Sequence, residues 1–393
     1  MGWNEITRYE KRRDVTGRRR DVTGGRRDVT HAAVTARVTG CAAELWRYKF
    51  DTPMGGSMLT SVDMIVVTLR DSDGATGTGF SYVIGGGGEP VLGMARTLLE
   101  RFVKDQEIAA PAALWRRLAA SLNRLGRGVS YNAICAIDIA AWDLNARSRN
   151  LPLGVALGGE PRVMPVYTSG GFGAFISPQE AVARTQAALA RGIRGVKIRV
   201  AGAHADLARM RAVKDVLPPG VHLMADANER CDLLRAKWLA AACAEHGMLW
   251  LEEPLPAYDY AGFDNLARTS PVAIATGEHL QGAMEFHPLL ESKSIAVAQP
   301  DPAMMGGITE ILCLCAIAEA AGVVVAPHFN PALFIHVAAA APAMKWLEDF
   351  PVLEPMFAKP LAWDKIGDMA MPTGPGHGIE FHPDARGKFL VKE

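Results

Sequence analysis

The chain has no excess of either charge, because its 42 lysines and arginines equal its 42 aspartates and glutamates. Electrostatic binding to nucleic acid or to a membrane surface requires a basic excess, so the composition favours neither partner. The six cysteines form no CxxC pair. They predict no disulfide framework and are typical of small core residues in a reduced, cytoplasmic protein.

Long apolar runs are also missing. The longest candidate for a membrane span, residues 311–327, is interrupted by Glu319 and Gly322, and it fits a helix followed by a buried strand better. The N-terminus is rich in arginine and lacks an apolar segment, so we expect no signal peptide. At 393 residues, with 49% hydrophobic and 21% charged residues, the chain suits a globular enzyme built from a barrel and a smaller domain.

The glycine run Gly85–Gly88 is not followed by the Lys-Ser/Thr pair of a phosphate-binding loop. We interpret it as a mobile loop. Together with Lys49–Met58 it predicts either a lid over an active site or an ordinary hairpin connection.

Residues 1–31 contain three copies of an Arg-Arg-Asp-Val-Thr unit at a seven-residue spacing. One valine per unit cannot form the apolar seam of a coiled coil. We expect a disordered basic extension, with a nucleic-acid-binding tail as the alternative.

Residues 32–160 contain strand-like segments followed by helix-like patterns, and they predict an α+β domain. Strands are expected at 34–38, 61–69 and 77–81, and a helix over 133–144. The Pro- and Gly-rich residues 350–393 are expected to pack back on this domain and complete it.

Between these two regions, residues 161–349 contain short apolar runs that each end in a charged or polar residue. Asp226, Glu252 and Glu278 follow three such runs at intervals of one strand and one helix. Strands buried on both faces are normally apolar throughout, so a charged tip on each needs a reason. The pattern predicts a modified (β/α) TIM-type barrel of seven or eight units, with its active site at the carboxyl ends of the strands.

Three carboxylates on one rim would repel one another unless they share a cation. Oxygen ligands without His or Cys favour Mg²⁺, with Mn²⁺ or Ca²⁺ as alternatives. The competing interpretation is three unrelated helix caps or surface ion pairs.

Other strands of the predicted barrel also end in polar residues. Lys197 and Arg199 lie at i and i+2, so both side chains can face the barrel interior. The sixth strand ends near Asp301, the seventh at His328, and a last run ends at Glu348. A core histidine remains the alternative for His328, and a surface salt bridge the alternative for Glu348.

As a set, these residues resemble the enolase superfamily, and within it the mandelate racemase-like subgroup. The resemblance covers about residue 32 to the C-terminus, including the helix at 136–144. It depends on Asp226, Glu252 and Glu278 as metal ligands, and on His328 paired with Asp301. A lysine on the sixth strand, which marks the muconate-lactonising relatives, is absent.

The resemblance implies abstraction of the proton α to a carboxylate by His328, with Mg²⁺ stabilising the resulting enolate. Asp301 would orient His328. Lys197 and Glu348 would contact the two sides of the substrate carboxylate. Further expected contacts to the substrate come from the polar residues Tyr167, Asn228 and His279.

Arg199 departs from the racemases of this subgroup, which carry a second lysine there. A guanidinium stays protonated, so one-base dehydration of an acid sugar to a 2-keto-3-deoxy acid is favoured over two-base racemisation. The acid that protonates the leaving hydroxyl stays open between His328, Arg199 and a metal-bound water. A racemase, epimerase or lactone cycloisomerase is the main alternative, and a non-catalytic metal-binding barrel is another. By analogy with similar barrels, we expect a homo-oligomer of even number.

Overall fold

The computed structural model describes residues 37–54, 59–108 and 110–392. The predicted disordered extension at residues 1–31 lies outside these residues, as does part of the predicted lid at Lys49–Met58.

The N-terminal part of the described chain is a three-stranded antiparallel sheet, in the order β1-β2-β3, packed against helices. Its elements are β1 (Val38–Met54), β2 (Leu59–Asp71), β3 (Thr76–Ile84), α1 (Gly88–Phe102), α2 (Pro111–Ser121), α3 (Val129–Ser148) and α4 (Leu153–Ala156). We call this part the capping domain. Its centre is α3, which is buried along most of its length. Gly79 of β3 permits close packing, because a Cβ there would lie 2.2 Å from the backbone nitrogen of Ala140 in α3.

The second part is a parallel barrel whose strands alternate with helices. Its elements are β4 (Val163–Thr168), α5 (Pro178–Ala190), β5 (Gly195–Arg199), α6 (His204–Val216), β6 (His222–Asp226), α7 (Leu233–Glu245), β7 (Trp250–Glu252), α8 (Tyr260–Ala267), β8 (Ala273–Thr276), α9 (Ala283–Glu291), β9 (Val297–Ala298), α10 (Pro302–Met305), α11 (Ile308–Ala321), β10 (Val324–Val325), α12 (Pro331–Ala340) and β11 (Leu347–Asp349). The predicted fold class is therefore confirmed. The eighth parallel strand, β11, is followed by a single 3₁₀ turn (Glu354–Met356) rather than a helix.

The sheet runs from β10 through β4 to β11. It closes where the segment before β11 meets β10, since Lys345 donates its backbone N–H to the carbonyl of Val325. Several helices start at a side-chain cap, among them Ser177 before α5 and Asp232 before α7, each of which accepts a backbone N–H. Because each parallel strand leads into the next helix, the carboxyl ends of the strands and the starts of the helices lie on one face of the barrel.

The C-terminal segment contributes β12 (Asp368–Ala370) and α13 (Ala385–Phe389). β12 pairs antiparallel with β4 of the barrel. Val391 donates its N–H to the carbonyl of Leu45 in β1, and Arg386 pairs with Glu44 at 2.8 Å. The segment therefore contacts both the barrel and the capping sheet. The domain boundaries given above stay a prediction.

The capping domain docks on the barrel through α3. Asp138 accepts the backbone N–H of Thr309 at 2.9 Å and its hydroxyl at 2.6 Å, which caps the start of α11. The Trp115 indole donates to the carbonyl of Gly306. These contacts fix the capping domain over the carboxyl ends of β9 and β10.

The structure describes parts of both segments that were predicted as a lid or a hairpin connection. β1 extends to Met54, which pairs with Leu59 of β2, so residues 49–54 form part of a hairpin strand and not a loop. The glycines Gly85–Gly87 connect β3 to α1, and Gly87 has the positive φ of 98° that favours glycine. Within the described part of the chain, no helix is long and apolar enough to cross a membrane.

Candidate active site

The acidic residues predicted as metal ligands lie at successive strand ends. Asp226 ends β6 and Glu252 ends β7, and the two are direct neighbours in the strand register. Glu278 follows β8 by two residues. All three are buried, with exposed fractions of 1%, 0% and 8%.

Lys197 of β5 reaches into this group from the barrel interior. Its ammonium nitrogen lies 3.7 Å from Asp226 Oδ2 and 2.8 Å from Glu348 Oε1, and it also contacts Glu252 Oε1. Burial acts to lower the pKa of Lys197, but the charges of Glu252 and Glu348 outweigh it and raise the pKa well above its ordinary value. The structure therefore brings together the predicted cation Lys197 and three of the predicted carboxylates.

Arg199 lies beside the same cluster, with its Nη2 3.6 Å from Asp226 Oδ2. The charge of Asp226 raises the pKa of this guanidinium further. Arg199 is therefore a permanent cation at this site.

The neighbouring carboxylates act on one another electrostatically. Burial, reinforced by the charges of Asp226 and Glu348, raises the pKa of Glu252 to about 7 despite the opposing charge of Lys197. Asp226 Oδ2 and Glu278 Oε2 are buried and accept no hydrogen bond from the residues described. Orphaned carboxylate oxygens of this kind fit Mg²⁺, which prefers hard oxygen ligands.

His328, which follows β10, lies beside Asp301, the residue that caps α10. Their Nδ1 and Oδ2 atoms are 2.9 Å apart, and His328 Nε2 lies 3.5 Å from Glu278 Oε2. Burial opposes the charged form of His328, but the charge of Glu278 and the hydrogen bond to Asp301 outweigh it and raise the pKa to about 10. The imidazole therefore has one nitrogen on Asp301 and the other directed toward the acidic cluster.

Glu348, at the tip of β11, is 1% exposed. Besides contacting Lys197, its Oε2 accepts the backbone N–H of Phe329 at 2.9 Å. The predicted alternative of a surface salt bridge is therefore wrong, since Glu348 is an interior residue of the cluster.

The predicted substrate-contacting residues are placed differently from one another. His279 is 41% exposed at the side chain and contacts Glu253 at 3.0 Å. Asn228 is partly exposed, and its N–H donates to Asp226 Oδ1. Tyr167 is fully buried and packs edge-on against Trp250, with ring centroids 5.5 Å apart. Tyr167 was expected to contact the substrate, but its ring lies in the barrel interior, because its position on β4 turns the ring in that direction.

A cavity of about 260 Å³ opens between the two domains at this cluster. Its walls include Tyr82, Ile84 and Asn132 from the capping domain, and Glu278, His279 and His328 from the barrel. A larger cavity of about 520 Å³ lies between α6 and α7, on the outside of the barrel, and contains none of the predicted site residues. The smaller cavity is the candidate active site because it adjoins the titratable cluster.

Two residues of the site were missed by the sequence analysis. Gln299 donates its side-chain amide to Glu252 Oε2 at 2.6 Å. Tyr82 donates its hydroxyl to Asp301 Oδ2. Gln299 could have been identified from the sequence, because it ends the predicted sixth strand. Tyr82 could not, because nothing in the sequence around it indicates that this strand of the capping domain contacts the barrel.

Comparisons with known proteins agree with this geometry. Residues 41–158 match the family described as "Mandelate racemase / muconate lactonizing enzyme, N-terminal domain", and residues 180–385 match "Enolase C-terminal domain-like". The chain is 34% identical over 331 residues to the L-talarate/galactarate dehydratase of Salmonella typhimurium, covering 82% of this chain and 81% of the relative. It is 31% identical over 340 residues to the 3,6-anhydro-alpha-L-galactonate cycloisomerase of Streptomyces coelicolor, covering 86% and 93%.

Among solved structures, the L-talarate dehydratase from Polaromonas sp. JS666, complexed with Mg and L-glucarate, superposes with a TM-score of 0.85 at 31% identity. The match covers 91% of this chain and 98% of that one. With both of its domains matched and its strand-end residues in place, the chain belongs to the enolase superfamily, in the group of mandelate racemase and muconate lactonizing enzyme.

Proposed function

We propose that this protein is a Mg²⁺-dependent acid-sugar dehydratase that converts an aldonate or aldarate to a 2-keto-3-deoxy acid. The observation that carries this proposal is the His328–Asp301 pair, in which Nδ1 of the imidazole contacts Asp301 and Nε2 lies 3.5 Å from Glu278 Oε2, both residues lining the cavity. The dehydratases among the relatives support the same reaction class.

Asp226, Glu252 and Glu278 would hold the metal. Bound Mg²⁺ supplies Lewis-acid stabilisation of the charge that develops on the substrate carboxylate, and it offsets the charge of Glu278 beside His328.

The remaining catalytic roles belong to residues of the chain. His328 takes the C2 proton at Nε2, while Asp301 accepts the hydrogen bond from Nδ1–H and fixes the tautomer. The C–H electrons move toward the carboxylate, and the C3–O bond then breaks as the leaving hydroxide is protonated, so that the C2 hydrogen and the C3 hydroxyl are lost overall as one water. The resulting enol gains a proton at C3 and loses one from its C2 hydroxyl, which gives the 2-keto acid. Lys197 contacts the substrate carboxylate, and Glu348 holds the Lys197 ammonium from the other side at 2.8 Å. Arg199 donates hydrogen bonds without accepting a proton.

The proposed reaction can be tested directly with a semicarbazide assay for 2-keto acid. The assay is run with Mg²⁺ over a library of aldonates and aldarates that includes talarate, galactarate and L-rhamnonate. We expect at least one to give product. If none does, and no substrate exchanges its C2 proton for deuterium in D₂O, the proposal is wrong and a non-catalytic barrel gains support.

A cycloisomerase is the second candidate, because one relative has that activity at similar identity. Incubation with 3,6-anhydro-L-galactonate in D₂O separates the two reactions. Conversion without release of 2-keto acid from any open-chain acid would favour cycloisomerisation. Inverted configuration with deuterium at C2 would instead favour a racemase or epimerase.

A further inference from the structure

Asp301 is unusual among the site carboxylates because its two oxygens accept four hydrogen bonds. Oδ1 accepts the backbone N–H groups of Ala303 and Met304, at 2.8 and 3.2 Å. Oδ2 accepts from His328 Nδ1 and from the hydroxyl of Tyr82. An ionised carboxylate has about four acceptor positions, so all of them are used and the group is held in one orientation.

Tyr82 comes from the other domain. It lies on β3 of the capping sheet, 219 positions before Asp301, and is 5% exposed. Its ring packs edge-on against Phe329, with centroids 5.1 Å apart. Phe329 directly follows His328 in the chain. The ring of Tyr82 therefore packs against the segment that carries His328, while its hydroxyl contacts His328 indirectly, through Asp301.

The hydroxyl of Tyr82 acts as a donor here. Burial, together with the charge of Asp301, raises the pKa of Tyr82 well above its ordinary value, so the phenol keeps its proton. A carboxylate offers no proton in return, so the direction of the hydrogen bond is fixed.

We infer that Tyr82 is a positioning residue for the proton-abstracting base, the outer member of a hydrogen-bonded chain Tyr82–Asp301–His328 that spans both domains. By holding Asp301, it keeps the proton of His328 on Nδ1 and leaves Nε2 free to face the substrate. The base is complete only when the capping sheet is docked. This inference rests on the proposed function for its catalytic meaning, whereas the hydrogen-bonded chain itself is independent of it.

The test begins with Tyr82→Phe, which removes one hydroxyl and keeps the ring against Phe329. We expect kcat to fall by about 10- to 100-fold, the usual effect of losing a hydrogen bond to a charged group. KM should change by less than about twofold, because Tyr82 supports the base and not the substrate. Tyr48→Phe is the matched control: Tyr48 lies on β1 of the same sheet, packs against Phe389, and its hydroxyl has no hydrogen-bond partner among the residues described.

A double-mutant cycle decides how Tyr82 acts. If its effect passes through Asp301, Tyr82→Phe should cost nothing further in an Asp301→Asn background. Additive losses would overturn the inference. So would a Tyr82→Phe variant that matches Tyr48→Phe, or one whose KM rises while kcat is unchanged, since Tyr82 would then be a substrate contact.

A spectroscopic measurement separates this inference from the proposed function. The imidazole of His328 is followed by ¹⁵N–¹H NMR in the Mg²⁺-containing protein, with its signals assigned by their loss in His328→Asn. We expect a protected Nδ1–H in the wild type that exchanges faster or changes its shift in Tyr82→Phe. An unchanged imidazole signal would overturn the inference. Absence of turnover on every sugar acid would overturn only the proposed function.

Discussion

The ammonium of Lys197 and the carboxylate of Glu348 lie 2.8 Å apart, with side chains 2% and 1% exposed. They come from β5 and β11, which lie on either side of β4 in the barrel. Burial acts to raise the pKa of Glu348, but the charges of Lys197 and His328 outweigh it and lower the pKa to about 2. The pair therefore joins the second and last strands of the barrel through its interior.

Replacing Glu348 with Gln should lower the free energy of unfolding by about 2 to 4 kcal/mol at pH 7, because Lys197 loses a buried counter-ion. Urea unfolding measures the change. Glu380→Gln is the control, since its 3.1 Å contact with Lys359 is exposed and should contribute less than about 1 kcal/mol. Equal losses in the two variants would contradict a buried ion pair.

Replacing His328 with Asn should slow C2 proton abstraction by about 10³- to 10⁴-fold, because the general base is removed. Deuterium uptake at C2 in D₂O, followed by NMR, reports this step directly. Mg²⁺ affinity and thermal stability should stay close to those of the wild type. His204→Asn, in the outer cavity between α6 and α7, should retain full exchange. Rapid exchange in His328→Asn would assign the base to another residue.

Mg²⁺ should stabilise the protein through the acidic cluster. Titration of the EDTA-treated protein with MgCl₂ should raise Tm, with a free-energy gain of about 2.7 kcal/mol at a hundred times the Kd. Asp226→Asn should abolish most of this gain, because it removes an orphaned ligand oxygen. Asp215→Asn, an exposed position on α6, should leave it intact. Equal Mg²⁺ responses in the two variants would place the ion elsewhere.

Replacing Arg199 with Lys should add a group that can lose and regain a proton where the guanidinium cannot. We expect dehydration to slow by about 10-fold as guanidinium hydrogen bonds are lost. Substrate recovered from D₂O should begin to show deuterium at C2 with inverted configuration. Arg235→Lys, outside the site, serves as the control. Loss of activity without any inverted product would mean that residue 199 does not face C2.

Stability should depend on pH through His336, which is buried where α12 meets α4. Its Nδ1 accepts the N–H of Gly154 at 3.2 Å and its Nε2–H donates to the carbonyl of His377 at 3.0 Å. Burial lowers the pKa of His336 from 6.5 to about 4. Because the folded-state pKa is the lower one, the unfolded chain binds the proton first, and the stabilisation present above pH 6.5 is lost as the pH falls toward 4.

A shift of this size corresponds to about 3 kcal/mol. Urea unfolding between pH 8 and pH 4 should therefore show a shallower pH dependence for His336→Gln than for the wild type. His287→Gln, an exposed position on α9, should keep the wild-type dependence. Parallel curves for His336→Gln and the wild type would show that His336 is protonated equally in both states.

The barrel could be predicted because its strands are short, apolar and marked by charged tips. Lys197, Asp226 and Glu252 all lie on strands expected from that pattern. The pairing of His328 with Asp301 was implied by the family resemblance, and it agrees with the pairing of β9 with β10, since the ends of neighbouring parallel strands meet. The local sequence was enough to predict that the carboxylates at the strand tips meet, because their partners lie on the adjacent strand.

Contacts between domains could not be predicted in this way. Nothing around Tyr82 indicates that its hydroxyl meets Asp301, because that contact depends on how α3 docks against α10 and α11. The burial of Tyr167 was missed for a related reason: alternation along β4 gives two faces, and only the closed barrel decides which is interior. The pairing of β12 with β4 likewise joins segments far apart in sequence.

The pairing of the C-terminal segment with β1 also sets an order on biosynthesis. Glu44 and Arg386 are 342 positions apart, and Val391 completes the same contact. The capping strands are translated before the barrel and their partner Val391 after it, so this contact can form only once the intervening barrel has been synthesised. The barrel strands are translated in between, so they can assemble before the capping sheet gains this contact.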